Sequence, residues 1–203
     1  MRPVVREVDF LLDLISDCFY RAPDPWYDPP LLSYVDKPAA RALADKIAYP
    51  LHHIGCGAGG DGDHTHLLFE YDRFSDPNDP AVGLLAECGP HFAAESIENS
   101  LNVAARFLLA TGTIDERDAE PYGALNKTEP FTVYTDMKAP GAKTDSFKWA
   151  GEFHGHNRFN KGDLVATDGD EELRAPYDDC VLITVNDDVK AGQGIGHFIR
   201  QIS

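Results

Sequence analysis

The run Gly83-Leu84-Leu85-Ala86-Glu87-Cys88-Gly89-Pro90-His91 decides how this chain is read. An apolar stretch of strand length carries one carboxylate at its end and then breaks at Gly89-Pro90. Glu87 is therefore expected where a buried strand opens into a loop, the place where α/β domains keep their pockets. Desolvation there disfavours the charged carboxylate and raises its pKa, which suits it to taking up and returning protons. The alternative is a solvated strand-end glutamate.

Downstream, Ser96 is expected to cap a helix in which Ile97, Leu101, Ala104 and Leu108 recur at helical spacing and face the sheet, with Gly112 as the stop. Upstream, residues 8–15 read as a buried strand interrupted by Asp9 and Asp13. The Pro-rich segment 22–30, with Trp26 and Tyr27, reads as a loop. Asp36 is expected to cap a helix through Pro38, Ala40, Leu43, Ala44 and Ile47 that ends before Pro50. A short strand at Leu51–Ile54, a glycine-dense loop over 55–62 and a strand over His64–Tyr71 lead to the Glu87 strand. The glycine loop is not followed by an amphipathic helix with a lysine, which argues against a nucleotide site.

Over 111–130 the composition shifts to charged residues, Gly and Pro. The predicted organisation is an α/β domain over residues 1–118 and an all-β module over 119–203. Strands are expected at 131–137, 147–153, 163–167, 180–185 and 197–202, a spacing typical of a small barrel or sandwich.

The chain has 203 residues, 34 Asp and Glu against 18 Lys and Arg, and a net charge of −16. That balance repels a phosphate backbone and an anionic membrane surface, so neither nucleic acid nor membrane is expected as a partner. The acid-interrupted run at 8–15 is too short for a signal-peptide core or a membrane span, and a cytoplasmic location is expected. The four cysteines, Cys18, Cys56, Cys88 and Cys180, lack CxxC spacing and read as free thiols.

The residues ECGPH at 87–91, Ser96 five residues after the histidine, and the helix through Ala104-Ala105-Arg106-Phe107-Leu108 to Gly112 together resemble the succinylglutamate desuccinylase/aspartoacylase family. The runs Lys161–Ala166, Asp168-Gly169 and Ala175–Asp178 resemble that family's C-terminal β module. They also resemble the hammerhead fold of lipoyl carriers, although no lysine stands at a hairpin tip. The resemblance covers the later two-thirds of the family pattern. It implies a partial zinc-carboxypeptidase-like α/β/α domain followed by a small all-β module. It also implies a zinc-dependent deacylase acting on an N-acyl amino acid or a similar amide or ester, with Glu87 as general base.

Family members hold zinc with a His-x-x-Glu pair and a second histidine on a strand reading roughly LLDLHS. None of the 8 histidines here is followed three residues later by glutamate, and Ile15 stands in the slot of that second histidine. The family's Asn-Pro and Asp-Leu-Asn-Arg segments are also missing. No metal ligand is therefore assigned, and the chain is expected to be incomplete or inactive alone, either part of an interrupted gene or a reduced family member. The competing reading is a metal-free scaffold or binding protein.

Other candidates follow from the residues. His52, His53, Cys56, His64 and His66 could converge on a metal or be solvated loop residues, and His154 with His156 could be a pocket-wall or surface pair. His91 could hydrogen-bond Glu87 or a substrate, or cap its loop. Tyr71 and Arg73 are substrate-binding candidates, Arg73 through a substrate carboxylate unless it is a surface residue. A bare sheet edge would associate. A homo-oligomer covering Phe10–Leu14, or a missing N-terminal segment, is the expected partner.

Overall fold

The computed structural model describes residues 6–17, 30–57, 67–91, 93–127, 129–138, 140–153, 155–186 and 188–202. Trp26, Tyr27, His64, His66 and His154 lie outside the described residues.

The elements in order are β1 (Phe10–Asp17), β2 (Leu31–Val35), α1 (Pro38–Ile47), β3 (His52–Cys56), β4 (Val82–Pro90), α2 (Ala94–Ala110), α3 (Glu116–Ala119) and β5 (Thr132–Lys138). Then follow β6 (Phe147–Trp149), β7 (Asn157–Phe159), β8 (Leu164–Asp168), β9 (Glu171–Arg174), β10 (Cys180–Ile183) and β11 (His197–Gln201). One mixed sheet of eight strands runs β1-β4-β2-β3-β5-β11-β10-β7, and β6-β8-β9 form a second, antiparallel sheet. The first sheet crosses the composition shift, because β5 pairs parallel with β3 and antiparallel with β11.

Strand β4 has neighbours on both edges, β1 parallel and β2 antiparallel, which accounts for its near-continuous apolar sequence. Its pleat divides two cores. Val82, Leu84, Ala86 and Cys88 join Leu32, Tyr34, Leu43, Ile47, Val103 and Phe107 on the helix side. Leu85 joins Leu31, Ile54, Phe69, Tyr134, Val181, Ile183 and Ile199 on the other. Both long helices thus lie on one side, whereas a three-layer α/β/α arrangement was expected. Phe69, from a 3-10 turn over Leu68–Glu70, and strands β10 and β11 supply the other side.

Several local expectations change. Helix α2 starts at Ala94 with Ala93 as its cap, and the buried Ser96 hydroxyl instead donates to the Pro90 carbonyl at 2.7 Å. The helix is also rotated from the expected face. Val103, Ala105 and Phe107 are buried, while Ile97 and Leu101 remain 66% and 47% exposed. The buried Arg106 explains part of this, since it donates to the carbonyls of Ile47, Gly123 and Asn126 and so ties the end of α1 to the loop after α3. Asp36 does not cap α1, whose N-cap is Lys37; its carboxylate pairs with Arg41. Residues 68–74 form two 3-10 turns where a strand was expected. Strand β2 was not anticipated, although Leu31-Leu32-Ser33-Tyr34-Val35 is buried throughout.

Gly83 fixes the distance between β4 and the 3-10 turn. A Cβ built there would stand 2.6 Å from the Phe69 Cα and 2.8 Å from its carbonyl oxygen, both backbone atoms that cannot swing away. Gly83→Ala should therefore lower unfolding stability by roughly 1–3 kcal/mol in urea titration. An unchanged midpoint would show that the turn moves freely.

Candidate active site

The site begins with register. Glu87 lies opposite Ile15 on β1 and Leu31 on β2, and the strand does not break at Gly89-Pro90 as expected but runs on through Pro90. It shares the β4 face of Leu85 and lines a cavity of about 60 Å³. The apolar wall comes from Leu31, Ile54, Leu67, Phe69, Leu85 and Ile183, and the polar groups with Glu87 are Ser33, Thr184 and His197. A volume of this kind has room for ordered water, which needs roughly 10–15 Å³ on the same measure.

The β10–β11 side of the cavity is held by unusual backbone. Thr184 has φ 51, a left-handed conformation that a β-branched residue seldom adopts. Gly196, just before β11, has φ 138, and a Cβ there would sit 2.8 Å from the Ile183 carbonyl. Strain of this kind concentrates at functional sites. Composition and spacing gave no sign of Thr184 or His197, which lie more than ninety residues from Glu87 and reach it only through sheet curvature. Ser33, the one non-aromatic polar side chain of β2, was a visible signal.

The other predicted site residues stand elsewhere. His91 is exposed at the end of β4, its Nδ1 sharing a 2.5 Å hydrogen bond with Ser16 Oγ from β1. The Arg73 guanidinium faces Asp79 and Asp9 and donates to the carbonyls of Arg6 and Val8, away from the cavity wall. Tyr71 packs with Phe74, Ala81, Val8 and Leu11. Of the histidine cluster, His53 is wholly buried on the opposite face, stacked on Phe131 with ring centroids 4.1 Å apart. Burial pushes its pKa down to about 4. The nearby Pro50 backbone offsets this only in part, and neither ring nitrogen reaches hydrogen-bonding geometry.

The described residues do not by themselves fit a zinc centre. Ile15 occupies the register position beside Glu87, and among the described residues no three His, Cys, Asp or Glu side chains converge as metal ligands. Cys56, Cys88 and Cys180 are buried free thiols, and burial, reinforced by Glu70, Asp36 and Glu87, pushes the Cys56 thiol up to about 12. It is not a nucleophile at neutral pH.

Glu70, on the 3-10 turn, has a buried Oε2 without a hydrogen bond, and desolvation pushes its pKa up to about 7. The folded chain thus favours the neutral acid. Its contribution to stability is complete below its ordinary value of 4.5 and is lost as pH rises through about 7. Glu70→Gln should raise the melting temperature at pH 8 and change it little at pH 4.5. Equal shifts at both pH values would contradict this assignment.

No protein-family model and no curated protein matches the sequence. Solved structures do match. Succinylglutamate desuccinylase from Vibrio parahaemolyticus aligns over 100% of this chain and 59% of its own, with 19% identity and a TM-score of 0.61. The product-bound ectoine utilization protein EutE (DoeB) from Ruegeria pomeroyi aligns over 100% and 60%, with 13% identity and a TM-score of 0.66. An aspartoacylase family protein from Mesorhizobium loti aligns over 100% and 66%, with 13% identity and a TM-score of 0.56. The chain shares the fold of succinylglutamate desuccinylase/aspartoacylase family structures and spans about three-fifths of the length of the desuccinylase and ectoine-utilization structures it matches.

Proposed function

We propose that this chain belongs to the succinylglutamate desuccinylase/aspartoacylase family and uses Glu87 as the general base for hydrolysing an N-acyl amino acid. The observation that carries the reading is Glu87 facing a small cavity whose wall is mostly apolar. Glu87 takes a proton from water as the oxygen attacks the acyl carbonyl. The C–N bond then breaks, and the same proton passes to the departing amine.

The fold and the motif ECGPH support this reading, and with it the zinc-carboxypeptidase-like architecture. The described residues supply the base and the cavity but not three metal ligands. In isolation, then, the chain hydrolyses slowly or not at all, and full activity requires ligands from another segment or chain. The partner would dock on β1, the sheet edge, where Phe10, Leu14 and Ile15 are at least 40% exposed beside the exposed Ile97 and Leu101 of α2. A second copy of the chain could cover the same edge. Among the described residues no helix is long and apolar enough to cross a membrane.

The second reading is a metal-free binding protein, favoured by Ile15 in place of a ligand. Release of free amine from N-acetyl and N-succinyl amino acids, with and without added zinc, separates the two. The deacylase reading expects turnover that Glu87→Gln lowers by about 10²–10⁴-fold. Saturable binding without turnover under any condition would establish the binding protein instead.

A further inference from the structure

Four side chains that the deacylase reading does not use gather on the sheet face that carries Glu87. Glu87 pairs in register with Leu31, and Leu31 with His52, so His52 lies two strands from Glu87, with backbones roughly 10 Å apart. His52 Nδ1 is 3.1 Å from the Tyr134 hydroxyl. The His156 ring stands edge-on to both, with centroids 4.6 Å from His52 and 5.8 Å from Tyr134. His156 has φ 61, and its Nε2 is buried with no hydrogen bond. Arg158, at the middle of β7, donates to the side chain of Gln201, the β11 residue paired in register with Tyr134.

Charge decides what such a cluster would hold. Burial first, and Arg158 with it, keeps both imidazoles neutral at physiological pH; His156 is pushed down to about 4. Two neutral imidazoles could ligate a divalent metal, yet the adjacent guanidinium repels a cation, and no third ligand joins them among the described residues. One fixed positive charge beside a phenol and ring N–H donors is instead the complement of a single anion.

We propose that His52, Tyr134, His156 and Arg158 form a binding site for a carboxylate. Arg158 is exposed, so the anion has a route from solvent, and one arm of its guanidinium is anchored by Gln201 Oε1 at 2.8 Å. A chain of net charge −16 repels small anions from most of its surface, so selective binding must come from a built site of this kind. The site stands whether or not the chain hydrolyses anything. Where it does, the ligand is the carboxylate of the molecule whose acyl end occupies the Glu87 cavity.

Succinate titrated into the full chain, followed by NMR of the histidine ring protons, tests this without reading turnover. Saturable shifts of His52 and His156 are expected. Arg158→Gln and His156→Asn should each weaken binding at least about tenfold, while Lys148→Gln, at an exposed lysine on β6, leaves it unchanged. Thermal melts accompany each variant, and Tyr134→Phe replaces His156→Asn if the latter unfolds. Non-saturable shifts, equal weakening by Lys148→Gln, or stoichiometric zinc binding at His52 and His156 with no succinate effect would each overturn the proposal. Binding without turnover would count against the deacylase reading alone.

Discussion

The pleat of β4 is the constraint on which the rest of the structure depends. Successive side chains must point to opposite faces, so Val82, Leu84, Ala86 and Cys88 serve the helix-side core while Gly83, Leu85 and Glu87 serve the cavity. A one-residue slip would send Glu87 into a wholly apolar core and leave four apolar side chains facing the cavity. Two packed faces forbid that slip. The stability of the core and the placement of Glu87 therefore have one cause.

Polar groups are buried where they organise loops. Lys37 is only 3% exposed, and its ammonium donates to the carbonyls of Asp76 and Asp79, both at 3.0 Å, fastening the connection that leads into β4. Arg106 does the same for the loop beyond α3. These contacts offset the desolvation that lowers the pKa of both groups. On the cavity side, Glu70 and His156 instead leave buried polar atoms without hydrogen bonds, and such atoms in a native fold call for a functional explanation.

Much of this was legible in the residues. The strand that carries Glu87, helix α1, and most strands after residue 130 are written in apolar runs. The face of α2 was misread because Ile97 and Leu101 keep helical spacing yet remain exposed, while Val103, Ala105 and Phe107 are buried. The 3-10 turns at 68–74 escaped because Phe69 and Phe74 pack as isolated aromatics without a period. The cavity was half visible. Glu87 stands out in the sequence, but Thr184 and His197 arrive through a sheet that curls over a long separation, and His52 and His156 meet only because β3, β5 and β7 share that curl.

A crystal structure of the chain grown with an N-succinyl amino acid tests the central claim most directly, that the cavity beside Glu87 receives the acyl group. The account predicts the acyl carbonyl within hydrogen-bond reach of the Glu87 carboxylate, directly or through one water, between Leu31 and Ile183. A ligand bound elsewhere, with the cavity closed around its own side chains, would contradict it.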